Sequence, residues 1–303
     1  MQQPQTPRLF CFGLGFSPLA FIDLVRREHG PEGWHVAGTT RSPDKAAALS
    51  ARGIGTHLFD RGRPLDDAAA ALAGTTHLLT AVPPDADGDP VLDHHAADIA
   101  ALMPGLRWAG YLSTTGVYGD HGGAWVDEST PLRPTGRRQK QRAEAEQAWL
   151  RLWHDHGVPV HLFRLAGIYG PGRSVIDSVR NGTARRIDKP GQVFSRIHVD
   201  DIARTLRASI DRPNPGAAYN LCDDNPAPGH EVTAFACELL GVEPPPLVPF
   251  DQAELSPMAA SFYADNKKVR NGRIKDELGV ALKYPDYRPA LRDQLRQEGH
   301  TAD

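Results

Sequence analysis

The sequence is poor in cysteine and has no long apolar run. Its three cysteines, Cys11, Cys222 and Cys237, fall into no Cys-x-x-Cys pair or zinc-ligand spacing. Because their number is odd and Cys11 lies in a short apolar run, we expect three reduced thiols in a cytoplasmic protein. No apolar stretch approaches the roughly 18 residues that a membrane helix needs. Residues 1–8 also lack the apolar core of a secretory signal.

Neither charge is present in large excess, which excludes two further classes of protein. The chain has 34 basic and 37 acidic side chains and a net charge of −3. We therefore expect neither nucleic-acid binding nor electrostatic attraction to a membrane. There are 13 histidines, but His94 and His95 are adjacent and cannot share a helix face, and the others are scattered. This spacing predicts no metal site.

Short apolar runs alternate with helical patterns through the first half of the chain. The strand candidates are Leu9–Phe12, Trp34–Thr39, Ile54–Phe59, His77–Val82, Trp108–Ser113 and Val160–Leu165. The helix candidates are Pro18–Glu28, Pro43–Arg52, Leu65–Ala73, Pro90–Met103 and Arg137–His156. This alternation predicts an α/β fold with a doubly wound parallel sheet, covered by helices on both faces.

A glycine turn follows the first apolar run and opens a helix. Gly13 permits a tight turn, and Gly15 lets a phosphate approach the backbone near the free N–H groups of Phe16 and Ser17. Pro18 stands where the usual third glycine is found, which suits the first helical turn but loosens packing on the strand. In this context the turn predicts a Rossmann dinucleotide site that holds the cofactor pyrophosphate. A plain glycine turn between strand and helix is the alternative.

The pattern changes after residue 113. Residues 114–135 are rich in Gly, Thr, Asp and Pro, which favours a long functional loop. Beyond the sixth strand candidate, Gly and Pro clusters divide the chain into shorter elements. We expect residues 1–165 to form the dinucleotide-binding Rossmann domain. Residues 166–303 should form mainly a smaller α/β substrate cap, with some segments returning to the Rossmann sheet.

The residues after the second strand candidate indicate which cofactor fits. NAD-preferring folds place Asp or Glu there to hold the ribose 2′-hydroxyl, whereas this sequence reads Gly38-Thr-Thr-Arg41-Ser42. Arg41 can pair with a 2′-phosphate through its planar guanidinium, and Ser42 and Lys45 can add donors. We predict NADP as the cofactor. NAD remains the alternative, and in that case Arg41 is a solvated surface residue.

Several sequence blocks occur in an order typical of one family. After the glycine turn come Leu112-Ser-Thr-Thr-Gly-Val-Tyr118-Gly119, Asp127-Glu-Ser-Thr-Pro131, Arg164-Leu-Ala-Gly-Ile-Tyr169-Gly-Pro-Gly172, Arg196-Ile-His-Val-Asp200-Asp201 and Ala218-Tyr-Asn220. On these blocks most of the chain resembles the extended short-chain dehydrogenase/reductases, or NAD-dependent epimerase/dehydratases. The resemblance implies a nicotinamide cofactor and a homodimer formed through helices that include the one beginning near Arg137.

The resemblance also implies individual site residues. The family's catalytic Ser or Thr lies four residues before the Tyr of the Tyr-Gly pair, which places it at Thr114. Its hydroxyl would hydrogen-bond the substrate carbonyl or hydroxyl. The loop after the fourth strand, represented by Ala81, Val82 and Pro83, would pass beside the nicotinamide ribose, and Asp60 would contact the adenine.

The catalytic Tyr-x-x-x-Lys of the family is missing. If Pro134 and Glu146 are aligned with the Pro and Glu that flank this motif in the family, Arg138 stands at the Tyr position and Arg142 at the Lys position. If Lys140 is aligned with the Lys instead, the Tyr position again holds no tyrosine. Arginine cannot act as a base near neutrality, but both arginines can bind cofactor or an anionic substrate. Alternatively they line a helix surface with an Arg142–Glu146 ion pair. In this departure the chain resembles the atypical members that lack the tyrosine.

Two functions remain open from the sequence. The first is an NAD(P)-dependent oxidoreductase or epimerase-like enzyme acting on a small polar or nucleotide-linked substrate, with Tyr118 or Tyr169 as candidate proton donors. The second is an NAD(P)-binding sensor or interaction protein without turnover, which the missing tyrosine favours. Five arginines could hold an anionic ligand: Arg164, Arg173, Arg185, Arg186 and Arg196.

Overall fold

A seven-stranded parallel sheet forms the centre of the protein. The structure is a computed structural model, and it describes residues 6–299. Its strands are β1 (Arg8–Phe12), β2 (His35–Thr40), β3 (Gly55–Leu58), β4 (His77–Thr80), β5 (Trp108–Thr114), β7 (Val160–Leu165) and β11 (Ala218–Leu221). Their spatial order is β3-β2-β1-β4-β5-β7-β11. The order reverses direction between β1 and β4, and in open sheets of this type ligands bind at that point.

Helices cover both faces of the sheet. The helices of the described residues are α1 (Phe16–His29), α2 (Pro43–Ser50), α3 (Ala68–Leu72), α4 (Pro90–Ala100), α5 (Arg137–His156), α6 (Val175–Arg180), α7 (Val199–Asp211), α8 (Gly229–Leu240), α9 (Pro257–Tyr263), α10 (Gly272–Asp276) and α11 (Tyr287–Gln297). Of these, α6, α8 and α11 pack against one another away from the sheet. Strand β1 shows why both faces need covering. Leu9 and Cys11 pack into one core cluster, whereas Phe10 and Phe12 pack into the cluster on the opposite face. The predicted doubly wound fold is therefore confirmed.

Several helix starts follow from local sequence signals. Ser42 accepts a hydrogen bond from Lys45 N–H at 3.3 Å and so caps α2. Asp89 caps α4 in the same way, and each helix has proline in its first turn. The third helix is shorter than the predicted Leu65–Ala73, because Asp67 caps it by accepting from the N–H of Ala70 at 2.9 Å.

Smaller elements lie outside the central sheet. Short parallel pairs join β8 (Gly167–Tyr169) to β10 (Arg196–His198), β9 (Arg186–Asp188) to β12 (Leu247–Pro249) and β6 (Trp125–Val126) to β13 (Lys268–Val269). A third hydrophobic cluster, which includes Tyr169 and Tyr287, joins β8 to α6, α8 and α11. All three cysteines are buried and unpaired. No helix within residues 6–299 is both long and apolar enough to cross a membrane.

Candidate active site

The glycine turn lies at the carboxyl end of β1, at the point where strand order reverses. Gly13 N–H donates to Thr39 Oγ1 at 2.8 Å, and Leu14 N–H donates to Thr39 O at 2.7 Å. Gly13 has a φ of +88°, and a Cβ at this position would lie 3.3 Å from Val82 Cγ2. Only glycine adopts this conformation without strain, so the turn stays tight against both neighbouring strands.

The N-terminus of α1 has room for a phosphate. Among the described residues, none lies within 4 Å of a Cβ built on Gly15, and no side chain caps the helix. The N–H groups of Phe16 and Ser17 precede the first hydrogen bond of the helix, from Leu19 N–H to Gly15 O at 3.1 Å. These N–H groups and the helix dipole attract an anion. The residues present therefore fit a dinucleotide pyrophosphate.

The loop assigned to the nicotinamide ribose lies against the same turn. Ala81 N–H donates to Phe12 O at 2.8 Å, which continues the pairing of β4 with β1. The next residue, Val82, is half-buried and faces Gly13, and Pro83 is exposed. The structure thus brings these three loop residues beside the glycine turn and the N-terminus of α1, which together are called the cradle below.

The residues assigned to the adenosine half lie at the ends of two neighbouring strands. Arg41 and Ser42 follow β2, and Asp60 follows β3. Arg41 is exposed, and its guanidinium has no hydrogen-bond or ion-pair partner among residues 6–299. Ser42 Oγ accepts from the N–H of Lys45, which leaves its O–H free to donate. Asp60 accepts a hydrogen bond from Arg63 at 3.1 Å.

Thr114 is the last residue of β5, at the edge of the sheet where the glycine turn also lies. Its side chain is half-buried, and Oγ1 accepts a hydrogen bond from Gly116 N–H at 3.1 Å. That bond caps the 3-10 helix Thr115–Tyr118 and orients the hydroxyl. Since the oxygen acts as an acceptor, the O–H remains free to donate to a ligand.

Helix α5 carries the two arginines that replace the family's tyrosine and lysine. Arg138 is exposed in the first turn. Arg142 is half-buried, and its Nη1 donates to Tyr111 OH at 2.9 Å and to Leu112 O at 3.0 Å. The alternative Arg142–Glu146 ion pair is wrong, because Arg142 turns towards β5 instead.

Glu146 belongs to a buried network that the sequence did not predict. It is fully buried, accepts from Arg164 Nη2 at 2.8 Å and accepts from Ser113 Oγ at 2.5 Å. Arg164 Nη1 also donates to Tyr118 OH at 3.0 Å, and that hydroxyl donates to Asn220 Oδ1 at 2.8 Å. This network fixes α5 to three strands of the sheet. It therefore also fixes the end of the helix that carries the two arginines.

Neither candidate tyrosine is placed to transfer a proton. Tyr118 is fully buried, and burial raises the pKa of its hydroxyl to about 12. Burial also raises the pKa of Tyr169, whose hydroxyl has no hydrogen-bond partner among residues 6–299. Burial therefore keeps both hydroxyls away from solvent.

Most of the arginines considered for an anionic ligand are engaged elsewhere. Four donate hydrogen bonds within the protein: Arg164 to Glu146, Arg185 to Glu254 O, Arg186 to Pro245 O, and Arg196 to Phe194 O and Ala227 O. The guanidinium carbon of Arg173 instead lies 5.8 Å from the centre of the Phe16 ring, next to the glycine turn. Arg173 is thus the arginine of this set that lies beside the N-terminus of α1.

Known proteins are similar to this chain in sequence. The model of the NAD dependent epimerase/dehydratase family matches residues 45–222. The chain belongs to this family. Protein YeeZ of Escherichia coli K12 is 28% identical over 288 residues, which cover 90% of this chain and 95% of YeeZ. Family membership and the cradle at α1 together indicate an NAD(P)-dependent, oxidoreductase-like function.

Solved structures agree on the fold. A functionally unknown conserved protein from Silicibacter pomeroyi is 51% identical and has a TM-score of 0.86, and the match covers 98% of this chain and 100% of that one. The dTDP-glucose 4,6-dehydratase of Bacillus anthracis, solved in complex with NAD, has a TM-score of 0.75 at 16% identity, with 97% and 96% of the two chains covered. At 16% identity, the resemblance to the dehydratase shows only a shared fold.

Proposed function

We propose that the protein is an NADP-dependent oxidoreductase or epimerase-like enzyme acting on a small polar, nucleotide-linked or anionic substrate. The observation that carries the proposal is the uncapped N-terminus of α1 behind Gly15, at the reversal of strand order. Thr114 lies at the same edge of the sheet with an O–H free to donate. A phosphate cradle and a substrate-binding hydroxyl at one edge support cofactor chemistry better than a structural role.

The roles of the side chains follow from their contacts. When bound, a nicotinamide cofactor would supply or accept the hydride. Thr114 donates a hydrogen bond to the substrate oxygen, where negative charge develops during reduction. Arg142 is held by Tyr111 and Leu112 through one nitrogen, so its other N–H groups can hold a ribose hydroxyl or a substrate anion. Arg138, one turn earlier and exposed, can hold the outer part of the same substrate.

Turnover tests the enzyme hypothesis. We expect the NADPH-loaded protein to oxidise its cofactor with at least one member of a panel of sugar nucleotides and small carbonyls, followed by nicotinamide absorbance. Thr114→Val should lower kcat/KM by about 10²-fold, because a donor to the developing oxyanion is lost. Thr56→Val, which removes a half-buried hydroxyl at β3, is the matched control and should retain activity. Turnover that survives Thr114→Val would remove the role assigned to Thr114.

An NAD(P)-binding sensor without turnover is the second candidate. It is favoured by the sequestered hydroxyls of Tyr118 and Tyr169 and by the arginine at the tyrosine position. Binding of NADPH without oxidation across the whole panel would support the sensor over the enzyme.

Cofactor preference tests the role of Arg41. We expect NADP(H) to bind more tightly than NAD(H). Arg41→Ala should weaken NADP(H) binding about tenfold and change NAD(H) binding less than twofold, because only NADP has a 2′-phosphate. Calorimetric titration of both cofactors measures the ratio. If the unsubstituted protein binds NADP(H) no more tightly than NAD(H), the role given to Arg41 is wrong.

Two further properties belong to the same proposal. The buried, unpaired cysteines support a reducing, cytoplasmic location. Resemblance to the family supports a homodimer through the helices around Arg137, with a small molecule rather than a nucleic acid as the ligand.

A further inference from the structure

The loop after β3 brings a second arginine to the end of β2. Asp60 and Arg63 exchange two backbone hydrogen bonds of 3.1 and 3.0 Å, so this loop folds back on itself. The turn directs the Arg63 side chain towards the neighbouring strand, where its Nη2 donates to Arg41 O at 3.2 Å. Phe59 N–H donates to Thr40 O at 3.1 Å and holds the two strand ends together. Arg41 and Arg63 therefore contact each other where β2 and β3 end.

The only carboxylate in this turn is already compensated. Asp60 Oδ1 accepts from Gly62 N–H at 3.0 Å, and its Oδ2 accepts from Arg63 Nη2 at 3.1 Å. A free carboxylate at these strand ends would repel a phosphate group, whereas this one is held by its own loop. The charge of Arg41 remains uncompensated by any side chain among residues 6–299. Among Arg41, Arg63 and Asp60 alone, one positive charge therefore stays unpaired, while Arg61 of the same turn is directed away from them to Asp85 and Asp93.

Arg63 also retains hydrogen-bonding capacity. Its side chain is 39% exposed, so a ligand can reach it. Its Nε is buried and has no hydrogen-bond partner within the described part of the chain, although unpaired buried donors are uncommon. The Nη2 group is shared between Arg41 O and Asp60, and no hydrogen bond within residues 6–299 engages Nη1.

We infer that Arg63 is a second binding residue for the 2′-phosphate of NADP and acts together with Arg41. Arg41 and Arg63 would hold the phosphate through their guanidinium groups, and the Ser42 hydroxyl would donate a further hydrogen bond to it. Two arginines match the charge of a phosphate monoester better than one, and their planar donors suit its oxygens. This inference rests on the proposed function, since it assumes that the cradle at α1 holds the cofactor.

The test uses two small probes that differ only in the 2′-phosphate: adenosine 2′,5′-bisphosphate and 5′-AMP. We expect the bisphosphate to bind the unsubstituted protein more tightly. Arg63→Ala should weaken bisphosphate binding about tenfold and change 5′-AMP binding less than twofold. Asp60→Asn should act in the opposite direction and strengthen bisphosphate binding, because it releases Arg63 and removes a negative charge. Isothermal calorimetry measures all the affinities.

Arg52→Ala is the matched control. It removes the same charge at the far end of α2, where Arg52 pairs with Asp23 at 2.7 Å, and should leave both probes unaffected. If Arg63→Ala weakens both probes equally, or neither, the inference is overturned while the dinucleotide site stands. If the unsubstituted protein binds neither these probes nor NAD(P)(H), the proposed function fails with it. A nonadditive Arg41→Ala/Arg63→Ala double variant would show that the two arginines share one phosphate.

Discussion

Gly15→Asp is expected to abolish dinucleotide binding and leave the fold intact. The backbone of Gly15 is extended, with φ of −91° and ψ of −164°, so any residue fits it. An aspartate would cap α1 by accepting from the N–H of Ser17, and aspartate is among the best N-cap residues. The same carboxylate would occupy and repel the position of the pyrophosphate. We expect at least a 10²-fold loss of NADP(H) affinity by calorimetry, with an unchanged or higher melting temperature.

Gly13→Ala is the contrasting variant. At a φ of +88° an alanine is strained by roughly 1–2 kcal/mol, and its Cβ would lie 3.3 Å from Val82 Cγ2. We expect this change to lower the melting temperature, which Gly15→Asp does not. If Gly15→Asp retains full cofactor affinity, the pyrophosphate does not lie at the N-terminus of α1.

Glu146→Ala should be among the most destabilising single substitutions in the chain. It leaves Arg164 buried without its counter-ion and removes the acceptor of Ser113. Breaking one partner of a buried pair costs about 3–5 kcal/mol. For 303 residues, an unfolding entropy of about 2.1 cal/mol/K per residue means that each kcal/mol lowers the melting temperature by about 1.6 °C, so we expect a fall of roughly 5–8 °C. Thermal unfolding followed by circular dichroism measures it.

Two variants separate a buried charge effect from a general loss of contacts. The double variant Glu146→Met/Arg164→Met removes both charges at similar volume and should recover much of the lost stability. Asp23→Ala breaks the half-exposed ion pair with Arg52 and should cost less than about 1 kcal/mol. A Glu146→Ala protein as stable as Asp23→Ala would show that the buried network contributes little.

The fold was predictable because its signals are local. Apolar runs marked the strands, and residues such as Ser42 and Asp89 before a proline marked where helices begin. The cradle at Gly13 and Gly15 was predictable for the same reason, since turn, strand and helix are adjacent in sequence.

The pairing of Glu146 was not predictable. Helical spacing offered Arg142 as its partner, but Arg164 lies on a strand that only the tertiary fold brings beside α5. The position of Arg63 was not predictable, because the direction of its side chain depends on the turn that it makes with Asp60. Residue types alone determine loop geometry only weakly. The substrate was not predictable either, because the elements after residue 165 carry no residue pattern that is typical of one substrate.

The position of β11 has a consequence for how the chain is synthesised. This strand covers the edge of β7 and supplies Asn220, which accepts the hydrogen bond from Tyr118, 102 residues earlier. A ribosome adding roughly 5–20 residues per second reaches β11 several seconds after it has completed β5. During that interval the nascent chain has an uncovered parallel edge and an incomplete polar core, which is the state most open to chaperones. Release from that state depends on residues from the C-terminal half of the protein.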